Sequence, residues 1–126
     1  MEFPTQKKIS ILIVDDEQYI VRSLSQQLSG EFYDTQLAFD GEEALSCLQS
    51  RQFDLVILDL KLPNVSGFEI LKHIKSNIPS TKVIVLTGYS DLKNVERVKQ
   101  LGADRLIEKP YEFGEVFDAI NVLMKT

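Results

Sequence analysis

A single cysteine, Cys47, and a single histidine, His73, are all that the 126 residues offer to a disulfide or a soft metal. One cysteine cannot close an internal disulfide, and its place between Leu45 and Leu48 suits a small buried hydrophobe better than a reactive thiol. His73 falls within a helical pattern away from other candidate ligands, so it is expected on a helix surface, and a zinc site is not expected. No apolar run approaches the roughly 18 residues that a membrane-crossing helix needs. The opening MEFPTQKKIS lacks the apolar block of a secretion signal. These absences point to a soluble, cytoplasmic chain. Positive charge is scarce too: 14 Lys and Arg stand against 19 Asp and Glu, for a formal net charge of -5. Without a basic face to displace counterions from phosphates, direct nucleic-acid binding is not expected.

What is present is a composition 44% hydrophobic, enough at this length for one compact domain, residues 1–126 with a core over about 9–125. Ile9 to Val14, Leu55 to Leu58 and Val83 to Leu86 are short, nearly unbroken apolar runs rich in Ile and Val, as strands covered on both faces require. Thr35 to Phe39 and Asp104 to Ile107 are more polar and read as edge strands. Between them, apolar residues recur every three or four positions, from Ile20, Val21, Leu24 and Leu28 to Val116, Phe117, Ile120 and Leu123. Asp40 with Glu43, and Ser66 with Glu69, have the spacing of capping boxes at helix starts, while Gly30 and Gly102 stand where helices should stop. Five strand-helix units with short connections predict an α/β fold, a doubly wound five-stranded parallel sheet of order 2-1-3-4-5 in a three-layer sandwich.

In such a sheet the ligand site lies past the carboxyl ends of the strands, where strand order reverses. Those ends deliver Asp15 and Asp16 after Val14, Asp59 after Leu58, Thr87 after the fourth strand and Lys109 after the fifth. Two carboxylates about 4 Å apart repel by roughly 4 kcal/mol at an effective dielectric near 20, so three together call for a cation. An all-oxygen donor set with room for water and phosphate favours Mg2+ over a full calcium cage, with Mn2+ as the alternative ion. A metal beside a lysine and a threonine is also a phosphoryl-binding arrangement, and an aspartate can serve there as nucleophile. Asp59, on the most central strand, is the best candidate; adjacent Asp15 and Asp16 are better placed as metal ligands. Asp54 begins a strand at the opposite end and reads as structural.

Four segments, ILIVDDE, DLVILDLKLPNVSGFE, VIVLTGYS and GADRLIEKP, occur in this order and spacing. Together they resemble the signature segments of response-regulator receiver domains over essentially the whole chain. The resemblance implies a flavodoxin-like fold with Asp59 as phosphoacceptor and Mg2+ held by Asp15, Asp16, Asp59 and the main-chain carbonyl of Lys61. It also implies that Thr87 and Lys109 contact the phosphoryl group and that the bond before Pro110 is cis. The partners implied are a sensor histidine kinase or phosphotransfer protein as donor, and an output domain or protein downstream. Such a chain catalyses only its own phosphorylation and dephosphorylation. Leu106 stands where many receivers carry an aromatic that swings inward, which leaves Tyr89 or Tyr111 as the aromatic candidates for switching. Lys61 and Tyr89 follow Asp59 and Thr87 by two residues, positions that tune phosphate lifetime in receivers. The last helix, expected over Glu115 to Met124, lacks the arginine of a charged dimer contact, so an unphosphorylated monomer is expected. The chain is expected to be a stand-alone receiver or the regulatory part of something larger.

Two other classes share parts of this pattern. A flavin-binding electron carrier needs a hydroxyl- and glycine-rich phosphate loop after the first strand, where DDEQY supplies repelling carboxylates. A phosphatase working through an aspartyl phosphate expects a second acid two residues after the nucleophile, where Lys61 stands.

Overall fold

The computed structural model describes residues 7–88 and 92–124. Elements alternate from β1 (Ile9–Val14), α1 (Gln18–Leu28) and β2 (Tyr33–Ala38) to α2 (Gly41–Ser50), β3 (Leu55–Asp59) and α3 (Gly67–Asn77). The chain continues through β4 (Lys82–Thr87), α4 (Leu92–Gln100) and β5 (Arg105–Glu108) to α5 (Phe113–Met124). The five strands form one sheet in the expected order β2-β1-β3-β4-β5, every neighbouring pair parallel. No helix among the described residues is long and apolar enough to cross a membrane.

The unbroken apolar runs divide between two cores because side chains alternate along a strand. Ile11 and Ile13, Leu55 and Ile57, Ile84 and Leu86 point to one face, where α1 adds Val21, Leu24 and Leu28 and α5 adds Val116, Ala119 and Ile120. Leu12 and Val14, Val56 and Leu58, Val83 and Val85 point to the other, covered by Ala44, Cys47 and Leu48 of α2, Ile70, Leu71 and Ile74 of α3, and Val98 of α4. Cys47 is buried there, as its sequence position suggested, and its sulfur accepts a 3.3 Å hydrogen bond from Gln36.

Helix ends follow the residues that specify them. Asp40 Oδ1 accepts from the Glu43 amide at 2.7 Å, and Ser66 Oγ from the Glu69 amide at 3.3 Å, so the N-cap bond of each expected box forms. Gly102 closes α4 with φ at 94°, its amide donating to the Lys99 carbonyl and that of Ala103 to the Val98 carbonyl. Asp54 is structural, as read from sequence: its Oδ2 accepts from both the amide and hydroxyl of Ser10, tying β3 to β1 at the amino end of the sheet.

The edge strands and one aromatic depart from expectation. The edge strands shift, β2 toward its amino end and β5 by one residue toward its carboxyl end, because pairing sets their limits: Ile9 aligns with Tyr33, and Thr87 with Glu108. Phe117, expected on the buried face of α5, is 37% exposed. Val116, Ala119 and Ile120 fill that face, leaving the Phe117 ring at its margin against Phe113 (5.8 Å) and Tyr33 (6.3 Å).

Candidate functional site

Strand alternation also explains which side chains meet beyond the carboxyl ends. Asp15, Asp59 and Lys109 continue the parity of Ile13, Ile57 and Ile107, which face α1 and α5. Asp15 and Lys109 remain part of the ladder although the strands end before them. The Asp15 amide donates to the Ala38 carbonyl at 3.1 Å, and the Lys109 amide to that of Thr87 at 2.7 Å.

Lys109 Nζ lies 2.9 Å from Asp15 Oδ2, 3.3 Å from Asp59 Oδ2 and 3.5 Å from Glu17 Oε1. The two aspartates are held in the same way. Asp15 Oδ1 accepts the amide of Glu17, and Asp59 Oδ1 that of Lys61, each two residues further on, at 3.0 and 3.2 Å. Their second oxygens are thereby turned toward the lysine. Both are buried, Asp15 to 1% and Asp59 to 5% exposure.

Burial, then the neighbouring charge of Asp15, pushes the Asp59 carboxyl up to about 6, against the pull of Lys109 and the Lys61 amide. For Lys109, burial favours the neutral amine, but the hydrogen bond to Asp15 and the charges of Asp59 and Asp15 outweigh it and hold the ammonium above the usual lysine range. Tyr111, half-buried beside them, is raised first by burial.

Carboxylate oxygens of Asp15, Glu17 and Asp59 lie within 4.8 Å of one another, a group that could hold a metal ion. The donors are all hard oxygens, with no cysteine or histidine among them, and so fit a hard divalent cation.

Of the sequence-predicted site residues, Asp15, Asp59 and Lys109 come together. Thr87, 4% exposed, ends β4 next to Leu86, the register partner of Asp59. Asp16 is exposed, and a residue not singled out from sequence, Glu17, brings its carboxylate to the group of Asp15 and Asp59. The Lys109–Pro110 bond is cis, as the resemblance implied. Leu106 is half-buried against the α2–α4 core, on the face opposite Ile107. Tyr89 lies outside the described residues.

Sequence reading passed over Gly67. A Cβ there would overlap the Asp59 carbonyl oxygen and the Leu60 backbone, and its amide donates to the Leu60 carbonyl at 3.1 Å. The first turn of α3 thus sits directly on the backbone that carries Asp59. The signal was a glycine immediately after the N-cap Ser66.

Residues 11–121 match the family described as the response regulator receiver domain. The chain belongs to that family. It is 36% identical over 115 residues to the response regulator ArlR of Staphylococcus saprophyticus, an alignment covering 91% of this chain and 52% of that protein. The receiver therefore spans about half the length of the curated relatives it matches. Among solved structures, the signal receiver domain of an HD domain-containing protein from Pseudomonas fluorescens superposes with a TM-score of 0.89 at 35% identity, covering 94% of this chain and 96% of that one. A CheY-like receiver domain protein from Methanospirillum hungatei gives 0.88 at 34% identity, covering 92% and 93%.

Proposed function

We propose that Asp59 is the residue on which this receiver accepts a phosphoryl group, from a histidine kinase or phosphotransfer protein, in a Mg2+-dependent reaction. One observation carries this reading: a buried, ionisable Asp59 shares one ammonium with Asp15 at the reversal point of the sheet, in a chain of the receiver family. A carboxylate oxygen of Asp59 attacks phosphorus, the bond from phosphorus to the donor nitrogen breaks, and the imidazole leaves with the electron pair and takes up a proton.

Asp15, Asp16, Asp59 and the Lys61 main-chain carbonyl would hold Mg2+, or Mn2+ in its place. Such an ion supplies neutralisation of charge on the phosphoryl oxygens. Lys109 donates to one of those oxygens and the Thr87 hydroxyl to another. Lys61, Leu106, Tyr89 and Pro110 tune the switch and the lifetime of the acyl phosphate.

A groove of about 510 Å3 opens beside Lys109 and Glu17, between α1 and the segment Pro110 to Phe113. The receiver acts as a single cytoplasmic unit, monomeric when unphosphorylated, that binds no nucleic acid itself. It drives its own phosphorylation and dephosphorylation and passes the signal to an output domain or protein.

The test is intact-mass measurement after incubation with acetyl phosphate and Mg2+. The expected result is one added phosphoryl group, absent in Asp59→Asn and in excess chelator. Label retained by Asp59→Asn would remove Asp59 from the reaction.

A further inference from the structure

Glu17 stands at the N-cap position of α1, its carbonyl accepting the Val21 amide at 3.2 Å. Side chains at that position commonly accept a free amide of the first helical turn. The Glu17 carboxylate makes no such bond and turns toward Lys109 instead, at 3.5 Å. An ammonium has three donors, and Lys109 has three carboxylate partners. To donate to an incoming phosphoryl oxygen while still holding Asp59, it must release one of the other two.

The three partners are not equivalent. Asp15 is the nearest and its side chain is 1% exposed, so losing the lysine would strand a buried charge. Asp59 carries the phosphoryl group itself. Glu17 is the most distant and its side chain is 60% exposed, so water can solvate its carboxylate as soon as the lysine departs.

We propose that Glu17 is a positioning residue: it holds Lys109 in the unphosphorylated receiver and is the partner that Lys109 exchanges for the phosphoryl group. This rests on Asp59 being the phosphoacceptor. Glu17 stabilises the state before transfer, so it slows phosphorylation, while its charge helps attract the cation to the site. The two effects come apart on substitution. Glu17→Gln removes both the pairing and the charge. Glu17→Asp keeps the charge but, one methylene shorter, draws the carboxylate away from the lysine.

The experiment measures two quantities for wild type, Glu17→Gln and Glu17→Asp. One is the Mg2+ dissociation constant of the unphosphorylated protein by calorimetry. The other is the rate of labelling by acetyl phosphate at saturating Mg2+, in which the Asp59 oxygen–phosphorus bond forms and acetate leaves with the electron pair of the broken bond.

Exposed pairs of this kind are worth up to about a five-fold effect, so both variants should label about two- to five-fold faster than wild type. Mg2+ affinity should fall up to about ten-fold in Glu17→Gln, as expected for a lost charge some ångströms from the ion, and stay near wild type in Glu17→Asp. A merely structural residue would depress rate and affinity together. Labelling no faster than wild type in either variant, or Mg2+ affinity lost more than ten-fold in both, would overturn the assignment, the latter making Glu17 a ligand. If wild type labels and the variants match its rate, only the Glu17 assignment fails; if wild type takes no label, the phosphoacceptor reading fails and takes this one with it.

Discussion

Replacing Asp59 by Asn should make the metal-free protein more stable at neutral pH. The Asp59 carboxyl is raised from 3.8 to about 6 in the fold, chiefly by burial and by Asp15. Between those values the folded chain binds a proton more tightly than the unfolded chain, so stability from this group falls as pH rises from about 4 to about 6. Above that window the folded protein carries the full penalty of an ionised, crowded carboxylate, about 3 kcal/mol by the difference of the two values. Asn is nearly the same shape and cannot ionise. Urea unfolding in excess chelator at pH 7.5 should therefore show Asp59→Asn more stable by about 1–3 kcal/mol, the lower figure allowing for relaxation around Lys109. In a domain of this size that corresponds to roughly 4–11 °C in Tm. The gain should shrink as pH falls through about 6 to 4 and approach zero by about pH 3, below both values, where Asp59 is protonated in both states. It should also narrow when Mg2+ is added at pH 7.5, since a bound cation stabilises wild type more than a variant short of one carboxylate. A variant that is no more stable at pH 7.5, or whose advantage is the same at pH 4, would show that Asp59 is not the strained member of the site.

Lys109→Met leaves Asp15 and Asp59 buried together without the opposing ammonium. It should cost about 3–5 kcal/mol in chelator at pH 7.5, much of it recovered when combined with Asp59→Asn, as double-mutant unfolding curves can read. Gly67→Ala forces a methyl against the Asp59 carbonyl and the Leu60 backbone. It should destabilise by about 1–3 kcal/mol in urea and slow labelling by acetyl phosphate, whereas an unchanged labelling rate would mean that the α3 turn can retreat without moving Asp59. Asp104→Ala removes the acceptor of the Val83 amide (2.8 Å) and of Lys75 (2.7 Å) at the amino end of the sheet. Thermal unfolding should show a loss of about 1–3 kcal/mol, with labelling kinetics unaltered.

The central strands were legible because burial on both faces leaves little choice of residue. The apolar run Ile9 to Val14 coincides with β1, and the sheet order follows from the alternation of strand and helix. The edges were less legible because their limits depend on a partner's register and not on their own polarity, as the placement of Tyr33 opposite Ile9 shows. At the site, position past the strand ends was enough to find Asp15, Asp59 and Lys109. Glu17 was not legible as a partner of that lysine, because its approach depends on how the chain turns from β1 into α1. Gly67 and Phe117 depended on how helices seat against the sheet, which periodicity alone does not specify.

The shared parity of Ile13, Asp15, Ile57, Asp59, Ile107 and Lys109 makes the site a matter of phase as much as of chemistry. The chain carries 19 acidic residues, of which Asp15 and Asp59 address the lysine in step with the isoleucines of their own strands and Glu17 from the N-cap of α1. A single residue inserted after Val14 would rotate Asp15 out and leave every functional group still written in the sequence. The reactive constellation is thus encoded by counting from the strand, and an insertion there would be more damaging than many substitutions.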